Sequence, residues 1–155
     1  MSGTETIGGV PFSALSLSAT ASALDAFFED RSRPRYFACV NPHSVMLARR
    51  DPEFAAALRD CDLNTADGVG IVLASRILGG SIRERVCGPD LFEKLCAKLD
   101  AERPGTRMFF LGATESTLAA LVERFTRDFP RLVVAGTLAP PFRAASGLPP
   151  TRRPR

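Results

Sequence analysis

An α/β fold with a Rossmann-like, mainly parallel sheet and helices on both faces is predicted by three observations. Short apolar β-type segments alternate with helix-type segments along most of the chain. The connecting stretches are long enough for right-handed crossovers, which parallel strands require and tight hairpins do not supply. The apolar content of 45% in 155 residues is enough for one ordinary core covered on both sides of a sheet.

Each element follows from local sequence. A small β-type opening lies near Val10 and Phe12, and Ser18 is positioned to cap a helix carrying Leu24, Phe27 and Phe28, which the Arg31 to Arg35 stretch with Pro34 then breaks. "YFACV" reads as a buried strand. Asn41 follows as a helix cap, with Pro42 at the first helical position, where its missing N–H does no harm. That helix is expected to carry Val45, Leu47, Phe54 and Leu58.

A second buried segment runs from Leu63 to Ala66 and ends at Asp67 and Gly68. "VGIVLASRIL" then forms an apolar helix that Gly79 and Gly80 stop. After the loop "SIRERVCG", Pro89 opens a helix with Leu91, Leu95 and Leu99 on one face. "RMFFLG" is a strand, Thr114 caps a helix bearing Leu118, Leu121, Val122 and Phe125, and "RLVVAG" is the last strand. Residues 1–142 are expected to form a single α/β domain, and 143–155 a Pro/Arg-rich disordered tail.

Charge and cysteine use narrow the function classes. Residues 1–142 hold 16 basic and 17 acidic side chains, so the net charge of +3 comes from the tail and leaves no footprint for nucleic acid. Cys39, Cys61, Cys87 and Cys96 form no CxxC pair and His43 is the only histidine, which argues against a zinc site and fits reduced thiols in a cytoplasm. No apolar run approaches the ~20 residues that cross a bilayer, so a cytoplasmic protein, peripheral at most to the membrane's inner face, is expected.

Ligands of parallel sheets bind beyond the strands' carboxyl ends, where helix amino termini present N–H groups. Asn41, Asp67 and Gly112 all fall at strand-to-helix junctions and are expected to line one edge. By position alone, Asp67 is compatible with a helix cap and with a carboxylate that takes a proton from a substrate hydroxyl. "DCD", residues 60–62, matches a short Asp-x-Asp pattern able to hold a divalent ion against a diphosphate, but it precedes a strand and so belongs to the opposite edge; a solvated turn and no required metal are expected.

"NPHSVMLARRDPEF", "TADGVGIVLASRILGG", "RERVCGPDLFEKL" and "MFFLGAT" occur in an order and spacing that resemble the WecB/TagA/CpsF family of bacterial glycosyltransferases, glycosyltransferase family 26. The resemblance runs from about Val10 to Phe142, and its most specific part is DGxG followed by RVxGxD, with 18 residues from Asp67 to Arg85. It implies inverting transfer of an N-acetylmannosamine-like hexose from a UDP-sugar donor to a polyprenyl-diphosphate-linked glycan acceptor, in the building of cell-surface polysaccharide or teichoic acid. It implies Asp67 as the base and Arg85 as a contact to donor diphosphate or acceptor phosphate, where composition alone would favour a surface ion pair of Arg85 with Glu84 or Asp90. Helix N–H groups after Asn41 and Gly112 can add anion binding without a metal, so Asn41, Gly68 and Gly112 are expected as further substrate contacts, with no cofactor. Where the family often has threonine, two positions before the asparagine, this chain has Cys39.

Family members also continue through another strand and helix with a PxQE motif and an arginine-rich appendage. Here "AASGLPPTRRPR" follows instead, so a frame shortened or shifted near Ala144 is expected, with oligomerisation as one way to cover the edge this leaves. The rival expectation from another class is a noncatalytic nucleotide-sugar-binding or assembly-partner remnant. An unrelated dinucleotide-binding Rossmann enzyme is disfavoured by the lack of GxGxxG.

Overall fold

The computed structural model of the chain describes residues 3–29 and 32–141. The Pro/Arg tail, together with Arg31, lies outside the described residues. The polypeptide divides into two compact units, Met1–Leu99 and Asp100–Arg155, each described by itself.

The first unit opens with an antiparallel hairpin, β1 (Thr4–Ile7) and β2 (Val10–Ser13), turned by Gly8 and Gly9 at positive φ. Helix α1 (Leu17–Asp25) follows and gives way to a 3-10 turn over Ala26–Phe28. Its cap is Ser16, whose Oγ accepts from the Ala19 amide at 3.2 Å, in place of the expected Ser18, which lies inside the helix. The buried residues Thr20, Ala21 and Leu24 set the frame, and they put the start two residues earlier.

Strands β3 (Phe37–Val40) and β4 (Leu63–Ala66) pair in parallel, Val40 opposite Ala66. Between them the sequence reading expected one helix, and the chain forms two: α2 (Pro42–Ala48) and α3 (Pro52–Asp60). The break has a local cause. Asp51 accepts from the amides of Glu53 and Phe54, each at 3.0 Å, and Pro52 occupies the first helical turn, so a new helix is initiated there. Of the residues expected on a single helix, Leu47 is exposed near the end of α2.

After β4 come α4 (Val69–Ile77) and α5 (Gly88–Glu102). The β3–β4 pair has a packed cluster on each face. One joins Val40 and Ala66 to Val45, Leu58, Ile71 and the hairpin's Phe12; the other joins Cys39 to Ala21, Leu24, Val86 and Leu91. Alternating side chains of β3 therefore face opposite layers, but "YFACV" is not buried throughout as expected: Val40 is buried, while Tyr36 and Phe37 at the opposite end are 44% and 41% exposed. β2 is tied to this pair through Asn64, whose Nδ2 donates to Pro11 O at 3.0 Å and Leu58 O at 2.7 Å.

The second unit pairs β5 (Arg107–Leu111) in parallel with β6 (Val133–Leu138), joined by α6 (Glu115–Asp128). Phe110 meets Phe125 of α6 edge-on, with ring centroids 5.1 Å apart. The fold is thus mixed α/β with short parallel pairs and crossover helices, as predicted. Among the described residues no helix is long and apolar enough to cross a membrane.

Candidate functional site

Asn41 and Asp67 follow directly on Val40 and Ala66, the last register pair of β3 and β4, and so share the carboxyl edge of that pair. The Asp67 amide donates to Val40 O at 2.9 Å, which fixes the start of its loop against the neighbouring strand. Asn41 Oδ1 accepts from the amide and hydroxyl of Ser44, at 2.9 and 3.1 Å, so its helix-capping role is direct.

Asp67 does not cap. The cap position of α4 belongs to Gly68, with φ 115° and no side-chain hydrogen bond, and the Asp67 carboxylate has neither a hydrogen bond nor an ion pair among the described residues. It is half-buried at the edge, beside a helix amino terminus whose first amides no side chain satisfies. The side chain of Asp67 thus takes no part in capping α4.

Glycine allows the two helix starts to approach one another. A Cβ on Gly70 would lie 2.9 Å from Pro42 Cγ, and one on Gly68 3.5 Å from Pro42 Cδ. The second glycine of "DGVG" is thus a packing requirement, and the first supplies a backbone angle that L side chains rarely adopt.

Arg85 reaches the same edge through its loop. The Val86 amide donates to Ala66 O at 2.9 Å, and Thr65 Oγ1 donates to Val86 O at 3.0 Å, so the residues flanking Asp67 and Arg85 are bonded to each other. The Arg85 guanidinium is exposed and pairs with Asp90 at 3.3 Å, while Asp90 also accepts from the Cys87 thiol at 2.9 Å. Cys39, where the family often has threonine, is half-buried next to Thr65 and Gly88. Burial pushes its thiol pKa up, the Thr65 hydrogen bond opposes this, and the charges of Asp67 and Cys87 add to it.

Gly112 belongs to the second unit. It takes φ 123°, with Ala113 at φ 56° after it, and its amide donates to Leu138 O at 3.0 Å. That amide serves the sheet edge; the turn then delivers Thr114 as the cap of α6, accepting from Thr117 N at 3.2 Å. His43 is exposed on α2.

The "DCD" turn corrects one expectation. Asp62 is not solvated: its side chain is 6% exposed, paired with Arg33 and with Arg35 at 3.7 Å, and it accepts from the Tyr36 amide at 3.1 Å. The Arg33 hydrogen bond holds its carboxyl below the usual range, against the opposing effect of burial. Its place before β4, at the end opposite Asp67, is as expected. Among the described residues no three His, Cys, Asp or Glu side chains gather as a metal-binding group.

Thr65 and Cys87 were not singled out in the sequence. Thr65 stands two positions before Asp67 in "TADG", and its polar side chain inside a wholly buried strand is the one signal that could have marked it.

A family profile described as glycosyl transferase WecG/TagA/CpsF family matches residues 5–148. The chain belongs to this family. Among curated relatives, the N-acetylglucosaminyldiphosphoundecaprenol N-acetyl-beta-D-mannosaminyltransferase of Bacillus spizizenii is 32% identical over 133 residues. The protein of the same name from Bacillus subtilis is 26% identical over 133 residues. Each match covers 86% of this chain and 51% of the relative, so the chain spans about half the length of these family members. Every site residue discussed above falls inside the matched segment.

Proposed function

We propose that the chain carries the base and a phosphate-binding arginine of an inverting glycosyltransferase that moves an N-acetylmannosamine-like hexose from a UDP-sugar to a polyprenyl-diphosphate-linked glycan. The observation that carries this reading is the uncommitted carboxylate of Asp67, held at the strand edge where a cap would otherwise be expected. The names of the two relatives supply the acceptor class, a diphosphoundecaprenol carrying N-acetylglucosamine, and the transferred sugar.

In this reading the acceptor hydroxyl gives its proton to the Asp67 carboxylate as its oxygen bonds to the anomeric carbon. The bond from that carbon to the nucleoside diphosphate breaks on the opposite face, which inverts the configuration. Charge on the phosphates is balanced by Arg85 through charge-assisted hydrogen bonds. Asn41 and Gly68 shape the acceptor side, and no metal takes part. The lipid part of the acceptor makes the protein a peripheral visitor to the membrane surface.

A second reading is favoured by the half-length match: the segment binds substrate, and turnover needs groups that the longer relatives supply. One assay separates the two. The 155-residue chain is given uridine-diphosphate N-acetylmannosamine and a soluble lipid-diphosphate acceptor, alongside Asp67→Asn. Turnover by the parent and its loss in the variant, with nucleotide binding retained, support the enzyme; nucleotide binding without turnover in the parent supports the binding segment. Absence of both binding and turnover rejects the proposal.

A further inference from the structure

We propose that the outer face of α4, with Arg76 and Arg85, seats the diphosphate and first isoprene units of a prenyl-diphosphate acceptor; this rests on the reading above and adds the location of the lipid. The inner face of α4 buries Ile71, Val72 and Ser75. A surface helix ordinarily turns polar residues outward on its other face. Here Val69, Leu73 and Ile77, one helical turn apart, are 63%, 58% and 76% exposed, and Leu78 beyond them is 68% exposed. The stripe runs about 12 Å from Val69 to Ile77 at 1.5 Å per residue, long enough for a branched apolar chain to lie along it.

The stripe is not uniformly apolar. A groove of about 410 Å³ is lined by Val69, Gly70, Val72, Leu73, Arg76 and Arg85, four small or aliphatic residues and two guanidinium groups with no carboxylate among them. Arg76 has no ion pair among the described residues, and Arg85 has only the Asp90 pair, in which both side chains are about half exposed. Such a pair is worth little in water, so a diphosphate with more charge and more acceptor oxygens displaces it. An anionic head with an apolar tail matches both features.

A second copy of the chain fits less well. A twofold contact through this stripe sets the same patch against itself and brings Arg76 and Arg85 toward their counterparts, a repulsion that an anionic amphiphile does not meet. The groove also starts at the amino end of α4, next to Asp67. A diphosphate held there leaves the acceptor sugar on the side of the base.

The test titrates the full chain with farnesyl diphosphate and, separately, with inorganic pyrophosphate, followed by calorimetry. The expected result is tighter binding of farnesyl diphosphate, by roughly tenfold or more for the apolar surface it buries. Leu73→Gln and Ile77→Gln together should erase that preference while pyrophosphate binding stays, and Arg76→Gln should weaken both ligands. These positions are exposed, so the variants keep the parent's circular dichroism spectrum.

Equal affinity of the parent for the two ligands overturns the inference. So does a stripe variant that retains the farnesyl preference, or one that only converts a dimer to a monomer in sedimentation. Uridine-diphosphate binding measured on the same samples separates the failures. Its presence without a prenyl preference rejects the lipid seat alone, and a prenyl preference without nucleotide binding or turnover rejects the transferase reading alone.

Discussion

Thr65 Oγ1 donates to Val86 O at 3.0 Å inside the protein, where both residues are buried, and this bond joins the strand that ends at Asp67 to the loop that presents Arg85. Thr65→Val keeps the shape and removes the donor, leaving a buried carbonyl without it. The expected loss of stability is about 1–3 kcal/mol, read from the urea midpoint. If Thr65 also sets the distance between base and arginine, Thr65→Ser restores diphosphate binding before it restores full stability. Equal losses in both variants would reduce Thr65 to a packing residue.

Two glycines at the start of α4 make opposite demands, and both can be measured. Gly68→Ala places a side chain at φ 115° and costs roughly 1–3 kcal/mol of strain. Gly70→Ala gains helix propensity, yet its Cβ would lie 2.9 Å from Pro42 Cγ. The overlap should win, giving a net loss of roughly 1 kcal/mol. Increased stability in Gly70→Ala would show that Pro42 can move aside and that the two helix starts are not held together.

The strand edge that carries the candidate site was legible where its signals are local. Asn41–Pro42 and Thr114 announce helix starts because each side chain accepts from an amide three residues on, and Gly68 marks the strand end by a positive φ that needs no distant partner. Asp51–Pro52 carries the same kind of signal as Asn41–Pro42, and reading one long helix through it gave apolar spacing more weight than a cap. Asp62 was illegible for another reason: its partner Arg33 is 29 residues away, and only the folded chain brings the two together. That Gly112 donates its amide to Leu138 likewise depends on strand pairing.

The Asp62 cluster predicts an acid-sensitive fold. Arg33, Tyr36 N and Arg35 hold the Asp62 carboxyl below 3.8, against burial, so its folded pKa lies below its unfolded one. Its contribution is therefore complete above the unfolded value, near pH 4, and falls away as pH drops through the folded value. In urea titrations the parent should lose more stability between pH 7 and pH 3 than Asp62→Asn, which starts lower and changes less. Parallel pH profiles would show that the arginines are stabilised by other groups and that Asp62 is dispensable.

The cysteines test the packing of the first unit by reactivity. Burial pushes the Cys96 thiol up to about 12, and its side chain is 0% exposed in α5. Cys61, at the end of α3, is pushed up to about 11, first by burial and then by the charges of Asp62 and Asp60. The thiolate is the reactive form, so at pH 8 both should resist iodoacetamide. Peptide mapping should find Cys96 labelled only along the unfolding transition. Cys61, being half-exposed, should label slowly in the native state, and Asp60→Asn should quicken it about two- to threefold, the effect of a fraction of a pKa unit. Rapid native labelling of Cys96 would mean that α5 separates from the first unit's core far more often than global unfolding allows.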